Sequence, residues 1–333
     1  MTIGPIPIIR AAYLNLFIDV LGTKNSHNEI LLQQFNLPGT LYEKPDAYIP
    51  LKSALLFIRW GIYNHDIEDI GLHVGSRLRI SDFDSNLYNA LLDTSSLKEA
   101  LQTFCKFAET ETSPVSYSIA FKQDEVHISS SYDTQCSTET DYYFEWLQIM
   151  SLLAIIRYFT DDHWTPSAIS FRSRLKPGKL AHKLFSDTRL QSGQTKTVII
   201  LPASLLKLKS KKDCQPSQYT QPSVSLDFPS SLQKILQSYL HTGYPDIKLA
   251  AEISSISVRT LQRRLKYFSI SYTNLVQQAR FEMATNILKE PDIKVIDAAY
   301  AAGYDDPSHF TRAFKRVLGI SPLQYRARNC LST

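Results

Sequence analysis

The sequence predicts an α+β N-terminal domain with a mainly antiparallel sheet, followed by an all-α C-terminal domain of two helix-turn-helix units joined by a long helix. Three observations predict it. Helical and alternating periods are mixed before residue 207, whereas the period is helical throughout after residue 229. The stretch between, KLKSKKDCQPSQYTQPSVSLDFP, is rich in Ser, Gln, Lys and Pro and carries neither period, as a solvated linker does. A two-helix pattern near residue 255 recurs about 49 residues later. The expected domains are 1–207, a linker at 208–229, and 230–329.

In the first half, Ile8 to Leu21 and Ala47 to Asn64 each place apolar residues at helical steps. Ser96 to Ala108 is a third helix, with Ser95 or Ser96 as N-cap and Glu99 close behind. The period then becomes two: Val115, Tyr117, Ile119 and Phe121 alternate with smaller or polar residues, and Val126, Ile128 and Ser130 follow a polar break, a hairpin signal. Glu139 to Phe159 is a long apolar-rich helix, and Ala168 to Arg172 and Thr197 to Leu201 are short strands.

In the second half, helices are expected at Ser231–Leu240, closed by Gly243-Tyr244-Pro245, then Ile247–Ser254, Ser257–Phe268, Ser271–Lys289 stopped by Pro291, Val295–Ala302, Ser308–Leu318 and Pro322–Ala327. LAAEISSISVRTLQRRLK has the plan of a helix-turn-helix: small Ala250 and Ala251 allow close approach, and Ile253, Val258, Leu261 and Leu265 form the inner face. Arg259, Gln262, Arg263 and Lys266 share the outer face at three- and four-residue steps. An amphipathic helix with solvated arginines would read the same way in isolation; recurrence argues otherwise. In DAAYAAGYDDPSHFTRAFK, Phe310, Arg312, Phe314 and Lys315 correspond to Leu261, Arg263, Leu265 and Lys266. Gly303 permits the turn, Asp306 caps, and Pro307 takes the first helical position. Ser308, Thr311, Arg312 and Arg316 are expected outward, Phe310, Phe314 and Val317 inward, with His309 either meeting a phosphate or base or packing by the turn. Arginine can bond guanine bidentately and glutamine adenine. The long helix between the units spans about 27 Å and, with its turns, approaches the ~34 Å repeat of DNA, so both reading helices can enter successive major grooves.

Charge agrees. The net charge is +4 overall. From Pro229 onward, 14 Lys and Arg face 8 Asp and Glu, whereas the rest of the chain is slightly acidic. A basic end suits a polyanion. Hydrophobic residues at 44% and charged at 20% exclude wholesale disorder, and no apolar run reaches membrane-spanning length, so no membrane partner is expected. No secretory leader is visible, and Cys105, Cys136, Cys214 and Cys330 are too scattered for a metal or redox pair, which leads to expected free thiols and a cytoplasmic location. The eight histidines form no metal motif, and no nucleotide-binding or hydrolase motif occurs. No metal, cofactor or catalytic residue is expected, and the chain is not expected to be an enzyme. Asp66, Glu68 and Asp69 form an acidic group read as capping or surface.

Three segments resemble the AraC/XylS-type DNA-binding domain of bacterial transcription regulators: LAAEISSISVRTLQRRLK, ARFEMATNILKE and IKVIDAAYAAGYDDPSHFTRAFKRVLGISPLQYR. The resemblance implies a sequence-specific regulator, expected to be an activator, acting on promoter DNA with RNA polymerase as a further partner. It implies base reading by Arg259, Gln262, Arg263, Ser308, Thr311 and Arg312, and backbone contacts from Lys266, His309, Lys315 and Arg316. Pro307 departs from the polar contact residue common in the family, and the position of Arg259 varies there. More loosely, FNLPGTL, the Gly71-Leu72 to Val74-Gly75 segment, SSLKEAL and His163-Trp164-Thr165-Pro166 resemble the N-terminal domain labelled arabinose-binding-like in one branch of that family. It implies a small-molecule effector or a homodimer through this half; the label does not identify the ligand.

Within the first half, Tyr142, Tyr143, Phe144 and Trp146 are aromatic candidates for an effector site, although such residues more often fill cores, and Arg172 is a candidate for an anionic effector, although a basic loop reads equally as solvated. Two other classes fit the same DNA-binding module: a DNA-modifying or repair enzyme, which would need clustered cysteines, and an effector-free architectural binder.

Overall fold

The computed structural model describes residues 3–330 apart from 23–27, 66, 68, 114, 133–137, 211–218, 220–225, 240–244 and 290–292. Along the chain come β1 (Ile8–Arg10), α1 (Ala11–Leu21), α2 (Asn28–Gln34), β2 (Tyr48–Pro50), α3 (Leu51–His65), α4 (Ile70–Gly75), α5 (Ser85–Leu92), α6 (Leu97–Glu111), β3 (Ser116–Lys122), β4 (Glu125–Ser131) and α7 (Thr138–Phe159). There follow β5 (Ala168–Ser170), α8 (Lys179–Leu184), β6 (Arg189–Gln191), β7 (Thr197–Pro202), a 3-10 turn at Ala203–Lys207, α9 (Phe228–Tyr239), α10 (Ile247–Ile253), α11 (Val258–Tyr267), α12 (Tyr272–Ile287), α13 (Val295–Ala301), α14 (Pro307–Leu318) and α15 (Pro322–Cys330). Packing divides the chain into an α+β unit, Pro7–Ser26 with Ala54–Ser225, and a helical unit, Leu226–Thr333 with Met1–Ile6 and His27–Ser53.

The α+β unit is organised by one five-stranded sheet in the order β3-β4-β7-β5-β6, antiparallel except for the β5–β6 pair. Its register lines up Ile119, Ile128, Ile199 and Ile169 across four strands. Ile128, Ile169 and Ile199 are buried on the face shared with Val126 and Leu201, and Ile119 sits half-buried on the outer strand. The hairpin turns on Gln123, which takes a left-handed φ of 51°. Ser96 caps α6 by accepting from the Glu99 N–H, and the Glu99 carboxylate accepts from Ser95 N at 2.8 Å. This is a shifted capping box.

Helix α4 crosses α7 at two glycines. A Cβ added at Gly71 would lie 2.4 Å from the Tyr143 carbonyl oxygen, whereas one at Gly75 would meet the Met150 side chain. Buried polar groups knit the unit. The Arg10 guanidinium donates to Glu111 at 3.1 Å and to the Asp82 carbonyl, and Tyr13 O–H and Asp84 N–H also donate to Glu111. Asp69 accepts from Tyr142 O–H, Gly178 N–H and Ala181 N–H, the last two at the start of α8, so it does cap. Asp66 and Glu68 lie outside the described residues, as do Cys136, Cys214, Gly243, Tyr244, Pro291, most of the expected linker and the side chain of Cys330.

Glu145 is fully buried and accepts from Tyr132 O–H and Ser173 N–H. Burial pushes its carboxyl from an ordinary 4.5 up to about 7, and the hydrogen bonds only partly oppose that shift. A folded carboxyl that holds its proton tightly stabilises the fold below about pH 4.5, and that contribution is lost as pH rises through 7. Glu145→Gln is therefore expected to stabilise the chain by about 2–3 kcal/mol at pH 8, and the gain should vanish below pH 4.5. Thermal melts of both proteins from pH 4 to 8 check this; a gain that does not depend on pH would refute it.

The helical unit holds α9 to α15. The apolar face of α9 (Phe228, Leu232, Ile235, Leu236 and Tyr239) is buried. Residues from before position 54 pack on this helix: Tyr239 O–H donates to the Asn36 carbonyl, Lys234 sits 4.3 Å from the centre of the Tyr48 ring, and Ile6 N–H donates to Ser231 Oγ. Sequence reading assigns that early segment to the N-terminal half, because its own pattern does not reveal its packing partner.

Helix α9 starts at Phe228, three residues before the expected Ser231 and inside the expected linker, and two other helices start late. Ile8–Arg10 and Tyr48–Pro50 are extended, and the helices begin at Ala11 and Leu51. Pro50 explains the second, since proline disfavours a helical residue before it. Strand β6 and the short helices α2, α4, α5 and α8 carry too few residues to show a period.

Candidate nucleic-acid interface and ligand cleft

Both helix-turn-helix units are built the same way. In the first, Ser255 takes a left-handed φ of 55°, and Ile256 N–H and Ser255 N–H donate to Ala251 O and Glu252 O. In the second, Gly303 has φ 75°, and Tyr304 N–H and Gly303 N–H donate to Ala299 O and Tyr300 O. These are paired helix-ending bonds of one type, with glycine unstrained where serine is not. The second turn is one residue longer, running from Ala302 to Asp306 against Ser254 to Ser257. Ser257 then caps α11 through Thr260 N–H, and Asp306 caps α14 through Ser308 N–H at 2.7 Å. The Ser308 N–H also holds the Asp306 carboxyl below its ordinary value.

Leu261 and Leu265 of α11 and Phe310 and Phe314 of α14 are buried. Phe310 and Phe314 join Phe281, Ala284, Leu288, Ala298, Ala299 and Ala302 in one core. Val258 is half-buried, and Val317, expected inward, is 55% exposed because the core is closed by Phe314 and Tyr325 instead. Between the units, the 16 residues of α12 span about 24 Å. Arg280 of α12 donates to the Gly303 carbonyl at 3.0 Å and lies over the Tyr304 ring, whose O–H donates to Gln277 of α12. Sequence reading missed this brace. It fixes the second turn to the connecting helix.

The outer faces are cationic. Arg259, Gln262, Arg263 and Lys266 are all exposed on α11, and Ser308, His309, Arg312, Lys315 and Arg316 are exposed on α14. Neither helix contains an acidic residue. Arg264 turns aside over the Phe228 ring. Thr311 is half-buried and its O–H donates to Pro307 O, which leaves it an acceptor oxygen and a methyl group. His309 sits 3.7 Å from the Asp306 carboxylate.

In the α+β unit, Tyr142 and Trp146 are buried, packed against Phe171, and Trp146 also stacks on Phe185. Tyr143 is half-buried, and Arg172 lies 4.1 Å from the centre of the Tyr132 ring. A cleft of about 370 Å³ lies elsewhere, between α6, β3 and the 3-10 turn. A smaller chamber of about 20 Å³ shares its Tyr117 wall and reaches Gln148. Sequence reading named none of the cleft's cationic residues. Among the described residues no three His, Cys, Asp or Glu side chains gather as a metal site would need, and no helix is long and apolar enough to cross a membrane.

A helical unit with paired, positively charged second helices, in a chain that also carries an α+β sheet unit, defines the class of two-domain DNA-binding regulators. The model of the arabinose-binding domain of AraC transcription regulators matches residues 28–210, and a helix-turn-helix domain model matches 250–328. The chain belongs to the AraC family of transcription regulators. It is 30% identical to the transcriptional activator NphR of Rhodococcus over 95 residues, 28% of each chain. It is 29% identical to the porin thermoregulatory protein EnvY of Escherichia coli over 98 residues, 29% of this chain and 38% of that one. With the activator RhaS of Enterobacter the figures are 34% over 77 residues, 23% and 28%. The chain thus spans well under half the length of these relatives. Similar solved structures include the regulator CdpR of Pseudomonas aeruginosa, with TM-score 0.42, 19% identity, and coverage of 95% of this chain and 96% of that one. The DNA-binding domain of AdpA in complex with a target DNA has TM-score 0.26 and 26% identity, covering 30% and 90%.

Proposed function

We propose that this chain is a cytoplasmic, non-enzymatic transcription regulator that reads double-stranded promoter DNA with α11 and α14 and answers to a small-molecule effector or partner through its α+β unit. The carrying observation is the pair of alike-capped second helices, α11 and α14, whose outer faces bear cations and no acid. In this reading Arg259, Gln262 and Arg263, and Ser308, Thr311 and Arg312, face base edges. Lys266, His309, Lys315 and Arg316 meet phosphates, which set register without carrying sequence information. Residues 230–329 form the DNA-binding domain, the α+β part of 1–207 the effector and dimerisation domain, and 208–229 the linker, while residues 1–6 and 27–53 pack with the helical unit. RNA polymerase is the partner of an activator, and a homodimer forms through the N-terminal half; of the effector candidates in sequence, Tyr142 and Trp146 serve the core, Tyr143 and Arg172 are half-buried, and none of the four lines the α6–β3 cleft.

The test is selection of genomic fragments bound by the full chain, followed by footprinting and salt titration. Two protected patches about one helical repeat apart are expected, with affinity falling at a log–log salt slope of about −3 or steeper, since Lys266, Lys315 and Arg316 alone would release three counterions. Sequence-indifferent binding with a single protected patch would defeat the reading.

A further inference from the structure

The effector is unnamed by the reading above, and the cleft beside α6 narrows its chemistry. Lys98 and Lys106 of α6 stand on one wall. Tyr117, Ile119 and Phe121, alternate residues of β3, form the opposite wall, and Leu206 closes the end. The open cleft's volume of about 370 Å³ is within the range of small-molecule sites. Both lysines are exposed, as is Phe121 at 59%. Among the described residues no acidic side chain lines the cleft. Burial pushes the Cys105 thiol in its wall up to about 11 and raises Tyr117 as well, so both stay neutral and the lysines set the sign of the site. Behind Tyr117, the Gln148 side chain is 4% exposed and lines the small chamber. Among the described residues neither end of its carboxamide has a hydrogen-bond partner. A buried amide without partners is costly, and a chamber of about 20 Å³ has room for a single water to meet it.

We propose that the α6–β3 cleft is the effector site and that its ligand is a small organic anion with an apolar body: the acid group on Lys98 or Lys106 and the body against Tyr117, Ile119, Phe121 and Leu206. This rests on the regulator reading for its purpose but not for its test. Sequence could not show it, because the walls come from separate segments, α6, β3 and the 3-10 turn at Leu206.

The experiment uses the full chain and two dyes of similar shape, the anion 8-anilinonaphthalene-1-sulfonate and the neutral N-phenyl-1-naphthylamine. One anionic dye per chain is expected to bind. Lys98→Gln with Lys106→Gln should weaken the anion about tenfold and leave the neutral dye within about twofold. Ile119→Trp, which fills the cleft, should abolish binding of both, with circular dichroism confirming that each variant is folded. Equal losses of both dyes in the lysine variant overturn the anion assignment. Unchanged binding in the tryptophan variant overturns the site. If Phe121→Ser splits a dimer while dye binding is unchanged, the cleft is an interface between copies and the proposal fails. A chain that binds selected DNA but no dye loses only this inference, and one that binds dye but no DNA loses only the regulator reading.

Discussion

Gly71→Ala is expected to destabilise the α+β unit by about 2–3 kcal/mol, although alanine is the better helix former by up to about 1 kcal/mol. The added Cβ would meet the backbone of α7, at 2.4 Å from Tyr143 O and 2.9 Å from its Cα. Neither atom can rotate away, so α4 and α7 must separate. The separation would disturb Tyr142, whose O–H is tied to Asp69, and Trp146, which anchors the aromatic core. Gly61 provides the internal control. Its Cβ would meet Leu21 Cδ1 at 2.5 Å, the far end of a side chain that can rotate away. Gly61→Ala should therefore cost clearly less. Thermal melts followed by near-ultraviolet circular dichroism would show a drop of about 5–10 °C for Gly71→Ala. Equal, small shifts in the two variants would mean that the helices do not approach this closely.

The Gly71-Leu72 to Val74-Gly75 segment shows how far the sequence carries. Read as a string, it supports a family resemblance; its physical reason, a helix crossing too tight for a Cβ, needs α7 in place. The hairpin was legible because Val126 and Ile128 alternate strictly with polar residues, and the cap of α6 was legible because Ser95, Ser96 and Glu99 are local. Strand β6 was not, since three residues, one of them half-buried, carry no period. The outer faces of α11 and α14 could be read at helical spacing because the apolar residues of the inner faces leave the cations only the exposed side. Val317 went astray because periodicity treats every apolar residue as core, whereas packing by Phe314 and Tyr325 had already filled the space. Arg280 shows the opposite failure. A lone arginine in a long helix looks solvated, yet it is half-buried over Tyr304 and braces the second turn. The Arg10–Glu111 pair and the cleft share that property: they depend on partners distant in sequence.

The double variant Arg263→Ala with Arg312→Ala should reduce affinity for selected DNA by about 2–6 kcal/mol, the sum of roughly 1–3 kcal/mol for each base-reading arginine. Each arginine occupies the third position of its outer-face triad, is exposed, and sits between residues that face the same way. Neither packs into the core, so the folded population should not change and melts should match the parent. Because the two sites lie at opposite ends of the α12 spacer, their losses should add. The pattern across sequences separates base reading from charge. Removing a base contact should flatten discrimination at one position within one protected patch, Arg263→Ala in one and Arg312→Ala in the other. Lys266→Ala should instead weaken all sequences about equally and lower the salt slope by about one. If both single variants behave like Lys266→Ala, the arginines neutralise phosphates, and recognition has to come from Gln262, Ser308 and DNA shape. If the double variant costs no more than either single one, only one of the two helices enters a groove, and the assignment of paired reading helices is wrong.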